Sequence, residues 1–411
     1  EFIDMAANQA QFDYIVVGAG SSGAVVASRL SENGAHRVLL LEAGTEGSNF
    51  FWSRVPVGVA KMIDDPAVNW CYRSEPDEGS AGRAIEVPRG KMLGGSSSIN
   101  GMVYIRGQAQ DFDHWAQLGN RGWSWADVLP VYKRMESFAG GSDEFRGRNG
   151  ILKVTHTPRH KVPLLELMIA AAEKIGLPYN PDQNGATQEG IGMSQVTIAK
   201  GRRQSTAFCY LDPARSRPNL TIEQGALAEG LLLEGKTCVG VRYSVNGQKR
   251  EARASREVIV SGGSINSPKL LELSGIGQSD LLRSLGVTPV HELKGVGENL
   301  RDHYSPRVKF AIKEKNLTFN DNARGWRLAR EALKYAFLRE GFLASTSVPI
   351  RLYFRTRPGL ETPDATVSIL PFLYERVGHE RRISKRRGIT MNVNVLRSES
   401  TGSIHVKSAD P

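Results

Sequence analysis

Cysteine is scarce in this sequence of 411 residues, which contains only Cys71, Cys209 and Cys238. The three are far apart and odd in number, and they form no CxxC motif, so the sequence offers no disulfide framework. This usage is typical of a reducing compartment, and we therefore expect a cytoplasmic protein.

Long apolar runs and several catalytic motifs are also missing. Stretches such as "VLLLEAG" and "LLELMIAAAEKIG" fall short of the roughly 18–20 residues of a membrane-spanning helix. The start "EFIDMAANQA" has neither the basic nor the apolar region of a secretory signal, so we do not expect one. There is no HExxH, no GxSxG and no kinase-type motif set. Metal-dependent hydrolysis, acyl transfer and phosphoryl transfer therefore gain no support, and we expect no metal site.

Acidic residues are outnumbered, with 43 Asp and Glu against 53 Lys and Arg, for a net charge of +10. Much of the excess lies in a basic run, "ERVGHERRISKRRG" at residues 375–388, which we interpret first as a solvated loop. No aromatic residues interleave with the cations and no reader motif is present, so we expect no nucleic-acid partner. Contact with an anionic membrane surface or with an acidic electron acceptor stays open.

The first positive signal is "DYIVVGAGSSGAVVASRLSENGAHRVLLLEAG", residues 13–44. The β-forming run Tyr14–Val17 leads directly into GxGxxG, a predicted helix follows, and a second predicted strand ends at Glu42. The order of strand, glycine loop, helix, strand and acid is the complete dinucleotide-binding fingerprint.

Each residue of the fingerprint has a physical role. Gly18 permits the tight turn, Gly20 lets a diphosphate approach the backbone, and Gly23 lets the helix pack closely on the strand. The helix N-terminus stabilises phosphate charge. Glu42 can accept hydrogen bonds from a ribose 2′-hydroxyl and would repel a 2′-phosphate, which disfavours NADP. The fingerprint alone does not separate NAD from FAD.

A second glycine cluster lies in "RGKMLGGSSSINGMVYIRG", residues 89–107. Gly94–Ser98 predicts a turn rather than the interior of a helix or strand, because Gly and Ser favour turns. The following "MVYIR" predicts a strand. A second exposed backbone loop, distant from the first, suggests a long ligand held at two places, and a tight loop beside a strand is the alternative.

Four separated segments resemble the glucose–methanol–choline (GMC) flavoprotein oxidoreductases, nearest to the choline and aliphatic alcohol dehydrogenase branch. Residues 90–113, "GKMLGGSSSINGMVYIRGQAQDFD", are similar to that family's first signature, and residues 263–277, "GSINSPKLLELSGIG", are similar to its second. Residues 217–235 and 295–303 resemble further segments of the family. The resemblance covers nearly the whole chain.

The resemblance implies an α/β fold, α+β overall. A Rossmann-like FAD-binding domain at residues 11–302 is discontinuous, with residues 121–200 partly on the substrate side. A substrate domain at residues 303–411, built on an antiparallel sheet with helices, is expected to be incomplete.

Period-two patterns support that sheet. They occur in "IRLYFRT" and "ITMNVNVL", with "TVSILPFLY" between them. One face should pack on helices. Asn392 and Asn394 on the other face are solvent-exposed or, as in the family, part of a substrate-pocket wall. One clear helix is predicted at about residues 163–176.

The cofactor implied by the resemblance is FAD, whose isoalloxazine ring Gly94 to Val103 would wrap. Trp70 could instead be a core aromatic. Some members attach the flavin through a histidine before the asparagine, where this chain has Ile99, so we expect non-covalent FAD. The cofactor-binding residues implied are Gly18, Gly20, Ser22, Gly23, Glu42, Ala43, Trp70, Arg89, Leu93, Gly94, Gly95, Ser97, Asn100, Gly101, Met102, Val103, Ala228, Ser261 and Gly262.

The function implied is oxidation of a primary alcohol to an aldehyde, with a base taking the hydroxyl proton and a hydride passing to flavin N5. The substrate class is choline, an aliphatic alcohol or an aromatic alcohol. The electron acceptor is oxygen, a quinone or a dye. A hydroxynitrile lyase of the same fold and an inactive FAD-binding fragment are the alternatives.

None of the eight histidines is assigned as the catalytic base. In the family, the final segment "TGSIHVKSADP" opens a C-terminal region that carries a His–His or His–Asn pair. We therefore expect that pair beyond Pro411, and we expect a polypeptide ending at Pro411 to show no appreciable alcohol oxidation.

Overall fold

The computed structural model describes residues 10–156, 162–377 and 380–411. Within these ranges, no helix has the length and apolar character needed to cross a bilayer. A single π-helical turn covers Ala207–Leu211. The α-helices are α1 Ser21–Leu30, α2 Phe51–Arg54, α3 Val59–Met62, α4 Ser96–Ile99, α5 Ala109–Gln117, α6 Trp125–Met135, α7 Pro163–Lys174, α8 Asp212–Ala214, α9 Gly263–Leu273, α10 Ser279–Ser284 and α11 Gly325–Leu338.

The strands fall into two main sheets and several short pairs. They are β1 Ala10–Val17, β2 Val38–Glu42, β3 Tyr72–Arg73, β4 Glu86–Val87, β5 Glu136–Ser137, β6 Leu152–Lys153, β7 Thr155–His156, β8 Gly190–Met193, β9 Gln195–Val196, β10 Ile198–Ala199, β11 Arg202–Arg203, β12 Leu220–Gln224, β13 Ala226–Glu234, β14 Thr237–Val245, β15 Gln248–Val260, β16 Ile276–Gly277, β17 His291–Glu292, β18 Arg307–Ala311, β19 Ile350–Phe354, β20 Ala365–Leu370, β21 Tyr374–Val377, β22 Glu380–Ile383 and β23 Gly388–Val395.

The first main sheet has six strands in the order β12-β2-β1-β15-β14-β13. β12, β2, β1 and β15 are parallel, and β14 and β13 extend the sheet antiparallel. Every residue of β2 is buried, as expected of an apolar run in a parallel strand covered on both faces. Ala24 and Ala27 of α1 pack on one face, and Leu270 of α9 packs on the other. The predicted Rossmann-like α/β arrangement is confirmed.

The second main sheet is antiparallel, with five strands in the order β18-β23-β20-β19-β8. Its apolar face includes Ile350, Ile369 and Ile389, which pack with Leu165 and Ile169 of α7. The predicted helix at 163–176 is therefore present as Pro163–Lys174. β8 joins this sheet from the segment at residues 121–200.

Two local predictions for the second glycine cluster are wrong. Residues 96–99 form the one-turn helix α4 rather than a turn, because the hydroxyls of Ser97 and Ser98 bond back to the Gly94 and Leu93 carbonyls. "MVYIR" forms no regular strand, because its backbone pairs only through an isolated bridge between Val103 and Val196.

Part of the basic run is a hairpin rather than a loop, since β21 pairs with β22, whereas residues 384–387 form neither helix nor strand. Residues 378 and 379 lie outside the described part of the chain. Arg381 forms an ion pair with Glu86, and Arg387 forms one with Asp321, so part of the charge is neutralised within the fold.

The alternation predicted for the second sheet is present, with Ile350, Leu352 and Ile389 on the apolar face, but the opposite face is covered as well. Thr390 and Tyr353, both predicted on the outward face, are 0% and 1% exposed. Segments outside the sheet cover this face too, and the Thr390 hydroxyl donates to the Phe372 carbonyl.

Candidate FAD site

Two helices of the first sheet begin at the same edge. α1 follows β1 and α9 follows β15, so both start where parallel strands end, the usual ligand-binding edge of such sheets. Their N-caps, Gly20 and Gly262, offer no capping side chain, and neither first turn carries an acid. The free N–H groups and the positive ends of both helices therefore favour an anion between them.

The two glycine clusters are in direct contact at this edge. The Gly94 N–H donates to the Ala19 carbonyl at 2.8 Å. A Cβ added to Gly95 would lie 2.7 Å from the Gly20 Cα, and one added to Gly18, whose φ is +95°, would lie 2.6 Å from the Ser261 carbonyl oxygen. A Cβ at Gly23 would overlap the Gly18 carbonyl. These glycines are required for backbone packing, whichever ligand binds.

Gly20 differs from its neighbours. The nearest atom to an added Cβ is the Gly95 Cα, at 4.0 Å, so the backbone tolerates a side chain there. The space beyond it belongs to a cleft of about 310 Å³ along the strand ends. That volume lies within the range of small-molecule and cofactor sites.

Glu42 ends β2 at the bottom of this cleft and is 6% exposed. Its carboxylate accepts hydrogen bonds from the Ala19 N–H at 3.0 Å and the Gly44 N–H at 2.9 Å. Burial raises the pKa of Glu42 to about 7, although the two N–H donors and the charge of Lys91 oppose the shift. The carboxylate is fixed between the first glycine loop and β2, and the lone pairs not used by these N–H groups can accept a ribose hydroxyl.

The predicted cofactor residues divide into two groups. Those that line the cleft are Gly18, Gly20, Ser22, Glu42, Ala43, Trp70, Arg89, Gly95, Ala228, Ser261 and Gly262. Those outside its lining are Gly23, Leu93, Gly94, Ser97, Asn100, Gly101, Met102 and Val103. The first group occupies the strand ends, where a dinucleotide is expected.

The second group surrounds and follows α4. Leu93 is fully buried against α1, and Gly94 packs on Ala207. Asn100 is exposed, and Met102 has a left-handed backbone with φ +62°. Ser96, the first residue of α4, lines the cleft. Because α4 is one turn long, the segment that begins at Asn100 lies one short helix beyond that end of the cleft. The predicted flavin contacts of this segment stay a prediction.

Arg203, which was not predicted, holds this segment in place. Its side chain is 0% exposed, and Nη1 donates to the carbonyls of Ser97 and Asn100 and to the Asn100 side-chain oxygen, at 2.7 to 3.1 Å. Burial lowers the pKa of Arg203 to about 9. Nε and Nη2 are buried without a partner among the described residues. No local pattern marks this role, because Arg203 and Asn100 are 103 positions apart.

Further cleft residues were missed beside α9. Its first turn, from Gly263 to Asn266, lines the cleft together with Lys269 one turn later. Asn266 accepts a hydrogen bond from the Tyr72 hydroxyl at 2.5 Å, and the Tyr72 ring stacks on Trp70 with centroids 5.7 Å apart. The helix start after Gly262 could have revealed them, because it repeats the uncapped glycine start of α1.

Trp70 is therefore a partly exposed wall of the cleft rather than a core aromatic. The ammonium groups of Lys91 and Lys269 lie 4.9 and 5.8 Å from the centre of its ring. Together with Arg89, these cations make the cleft electropositive, as an anionic diphosphate requires.

The outward face of the second sheet carries further polar groups without partners. Register places Asn392, Ser368 and Arg351 side by side, and Thr366 and Tyr353 in the next row. The Asn392 side-chain oxygen and the Arg351 Nε are both buried without a hydrogen-bond partner among the described residues. Asn392 and Asn394 are half-buried rather than solvent-exposed. This face therefore has unused hydrogen-bonding capacity for a small ligand.

The second sheet is tied to the Asn100 segment. The Thr346 hydroxyl donates to the Gly101 carbonyl at 2.9 Å, and a Cβ on Gly101 would lie 3.7 Å from the Ser347 hydroxyl. β19 starts at Ile350, a few residues later. The segment that leads into β19 therefore forms a boundary between the second sheet and the Asn100 segment.

This geometry defines a dinucleotide-binding protein that has a cleft at the strand ends of its parallel sheet and a separate antiparallel sheet. The family model for GMC oxidoreductases matches residues 12–305, and the chain belongs to that family.

Two choline dehydrogenases are similar over almost the whole chain. The mitochondrial enzyme of Mus musculus is 38% identical over 407 residues, which cover 98% of this chain and 68% of the relative. The oxygen-dependent enzyme of Chromohalobacter salexigens is 40% identical over 404 residues, which cover 98% and 72%.

Two solved structures share the fold. Pyridoxine 4-oxidase from Mesorbium loti superposes with a TM-score of 0.83 at 27% identity, over 97% of this chain and 74% of its own. Aspergillus oryzae formate oxidase superposes with a TM-score of 0.89 over 98% of this chain and 76% of its own, and at 24% identity it supports the fold alone.

The cofactor is FAD, and the protein is an oxidoreductase acting on CH–OH donors. The residues present fit FAD, because the cradle at Gly20, the two helix N-termini and the buried Glu42 provide complementary groups for its diphosphate and ribose. Ile99 packs in the core with Met62, Val68 and Met92 and has no nucleophilic atom, which supports the prediction of non-covalent FAD.

Proposed function

We propose that the protein oxidises a primary alcohol to an aldehyde, with FAD lying along the cleft between α1 and α9. The observation that carries this proposal is the pair of uncapped helix N-termini beside two touching glycine loops. It occurs in a chain 38–40% identical to choline dehydrogenases. Bound FAD supplies the hydride acceptor that amino-acid side chains lack.

In this proposal the chain's own residues bind FAD and orient it in the cleft. The N–H groups at the starts of α1 and α9 hold the diphosphate, with Arg89 and Lys269 adding positive charge. Glu42 accepts from the ribose. Arg203 fixes the Asn100 segment at the boundary with the second sheet. The described residues lining the cleft include no histidine, so the catalytic base is not assigned to any of them.

An uncharged alcohol is the better substrate in this proposal. Arg351 is on the polar face of the second sheet, and the segment leading into its strand bonds to Gly101 through Thr346, so we propose that the alcohol binds against this face. The Arg351 cation disfavours a trimethylammonium group, because two positive charges separated by a few ångströms repel by several kcal/mol at an effective dielectric constant of about 20. The relatives act on choline by name, so this difference is testable.

The hydroxynitrile lyase alternative is not favoured, because the relatives and structural neighbours are named as dehydrogenases and oxidases. Oxygen, a quinone or a dye stays open as the electron acceptor.

The test is a substrate panel on the FAD-loaded, full-length natural protein, since a polypeptide ending at Pro411 is expected to be inactive. We expect kcat/KM for an uncharged primary alcohol to exceed that for choline by about tenfold or more. The sharpest pair is choline and its carbon isostere, in which a tertiary butyl group replaces trimethylammonium. Arg351→Gln should reduce the ratio of kcat/KM for the uncharged isostere to kcat/KM for choline. Higher kcat/KM for choline than for the isostere would contradict the uncharged substrate, and turnover of no alcohol would contradict the proposed function itself.

A further inference from the structure

Helix α11, Gly325–Leu338, exposes a row of large apolar side chains to solvent. Trp326, Leu333 and Phe337 are 69%, 59% and 81% exposed. Their spacing of seven and then four residues places them on one face of a helix with 3.6 residues per turn. We call this row the apolar stripe.

The stripe points away from the protein because the opposite side of α11 is anchored. Glu331 and Tyr335 are its buried residues. The Tyr335 hydroxyl donates to the Gly201 carbonyl at 3.1 Å, and the Glu331 carboxylate accepts from the Phe342 N–H at 3.2 Å. Tyr335 lies about half a helical turn from the stripe. An amphipathic helix normally turns its apolar side inward, and α11 turns it outward.

Cations flank the stripe along the same helix. Arg330 and Lys334 follow it on one side and are exposed. The Arg330 guanidinium lies 5.3 Å from the centre of the Trp326 ring. A helix that pairs Trp, Phe and Leu with Lys and Arg is typical of segments lying in the interface of a bilayer.

The basic run extends this positive surface. Arg324, the N-cap of α11, donates to the carbonyl of Ser384 within the run. Lys385 and Arg386 follow directly and are exposed. The run's charge therefore adjoins the N-terminal end of the stripe, and both belong to one surface.

We propose that the apolar stripe and the adjoining cations dock the protein on an anionic lipid bilayer. The stripe side chains enter the acyl boundary, and Arg330, Lys334, Lys385 and Arg386 contact acidic headgroups. A second copy of this chain is the less suitable occupant, because a two-fold interface built on the stripe would bring Arg330 and Lys334 of both copies close together.

Vesicle co-sedimentation of the FAD-loaded protein tests the proposal. We expect binding to mixed phosphatidylcholine–phosphatidylglycerol vesicles, much weaker binding to pure phosphatidylcholine, and loss of binding as salt screens the charges. Leu333→Glu with Phe337→Glu should weaken binding at least tenfold, because charged groups replace the side chains that enter the bilayer. The matched control is Leu118→Glu, at a residue that is 68% exposed elsewhere and should change nothing.

A second variant leaves the helix untouched. Lys385→Gln with Arg386→Gln should weaken binding to the anionic vesicles by about twenty-five-fold, since each cation near a bilayer surface contributes about fivefold. Far-UV circular dichroism and flavin content confirm that each variant is folded. Equal sedimentation with and without anionic lipid would overturn the proposal. The proposal would also be overturned if the wild-type protein did not bind vesicles and formed a dimer that Leu333→Glu with Phe337→Glu dissociates.

Discussion

At the scale of single residues, Gly20 separates cofactor binding from folding. Gly18, Gly23 and Gly95 are each in backbone contact that a Cβ would disturb, whereas Gly20 faces open cleft. A side chain at Gly20 therefore competes with the ligand and not with the fold.

Gly20→Val should abolish FAD retention while leaving stability nearly unchanged, because the branched side chain fills the diphosphate position. The measurement is the ratio of flavin to protein absorbance after purification, alongside a urea unfolding curve. Gly402→Val is the control, since nothing lies within 4 Å of a Cβ there. A Gly20→Val protein that is fully yellow would refute the fingerprint assignment.

Arg203→Met should destabilise the protein by roughly 2 kcal/mol, because the carbonyls of Ser97 and Asn100 lose a charged donor. FAD retention should fall as well, since the Asn100 segment is released. Neighbouring Arg202→Met should stay within about 0.5 kcal/mol of wild type. Equal urea midpoints for the two variants would contradict a clamping role for Arg203.

At the scale of elements, the sequence predicted structure formed by consecutive residues and missed contacts between residues far apart in the chain. The run from Tyr14 to Glu42 contains strand, loop, helix and strand in consecutive order, so its pattern is readable directly. Arg203 could not be found this way, because its role exists only once β11 lies beside the Asn100 segment.

The short helix α4 shows a second limit. Gly and Ser oppose helix formation on average, yet the Ser97 and Ser98 hydroxyls find carbonyl partners within the loop. Leu93, just before the helix, packs with α1 and the π-helical turn and so fixes its start. Tertiary context also decided the burial of Tyr353 and Thr390, because strand alternation gives the face of a side chain but not what covers that face.

The segment around His405 gives a pH-dependent link between elements. His405 bonds to Glu272 of α9 at 2.6 Å and to Glu298 at 3.1 Å. Burial lowers the pKa of His405, but the two carboxylates outweigh it, and the net shift is upward. The link therefore stabilises the fold fully below the unfolded pKa of about 6.5 and loses that contribution as pH rises through the folded pKa.

His405→Gln should accordingly lower the urea midpoint most in acid. We expect a large difference from wild type at about pH 5.5 and a small one at about pH 9. A difference that is constant across this range would show that the charge of His405 is not involved.

At the scale of the whole molecule, the two sheets have different roles. The first sheet presents the FAD cleft, and the second presents a polar face joined to it through Thr346 and Gly101. Ile99 directly precedes Asn100, lies in the core and has no nucleophilic atom. We therefore expect the flavin to be held by non-covalent contacts alone.

Acid precipitation should therefore release all of the flavin into the supernatant. The measurement is flavin fluorescence in the supernatant and in the pellet after a denaturing gel. Fluorescence that migrates with the polypeptide would contradict non-covalent binding.

The most direct test of the account is anaerobic addition of a primary alcohol to the purified, FAD-loaded protein, followed by its visible spectrum. The account predicts that the flavin absorbance bleaches as hydride is transferred, and that one aldehyde forms for each flavin reduced. A yellow spectrum unchanged by every alcohol in the panel, in a sample of the full-length natural protein whose flavin is reduced by dithionite, would contradict alcohol oxidation as the function.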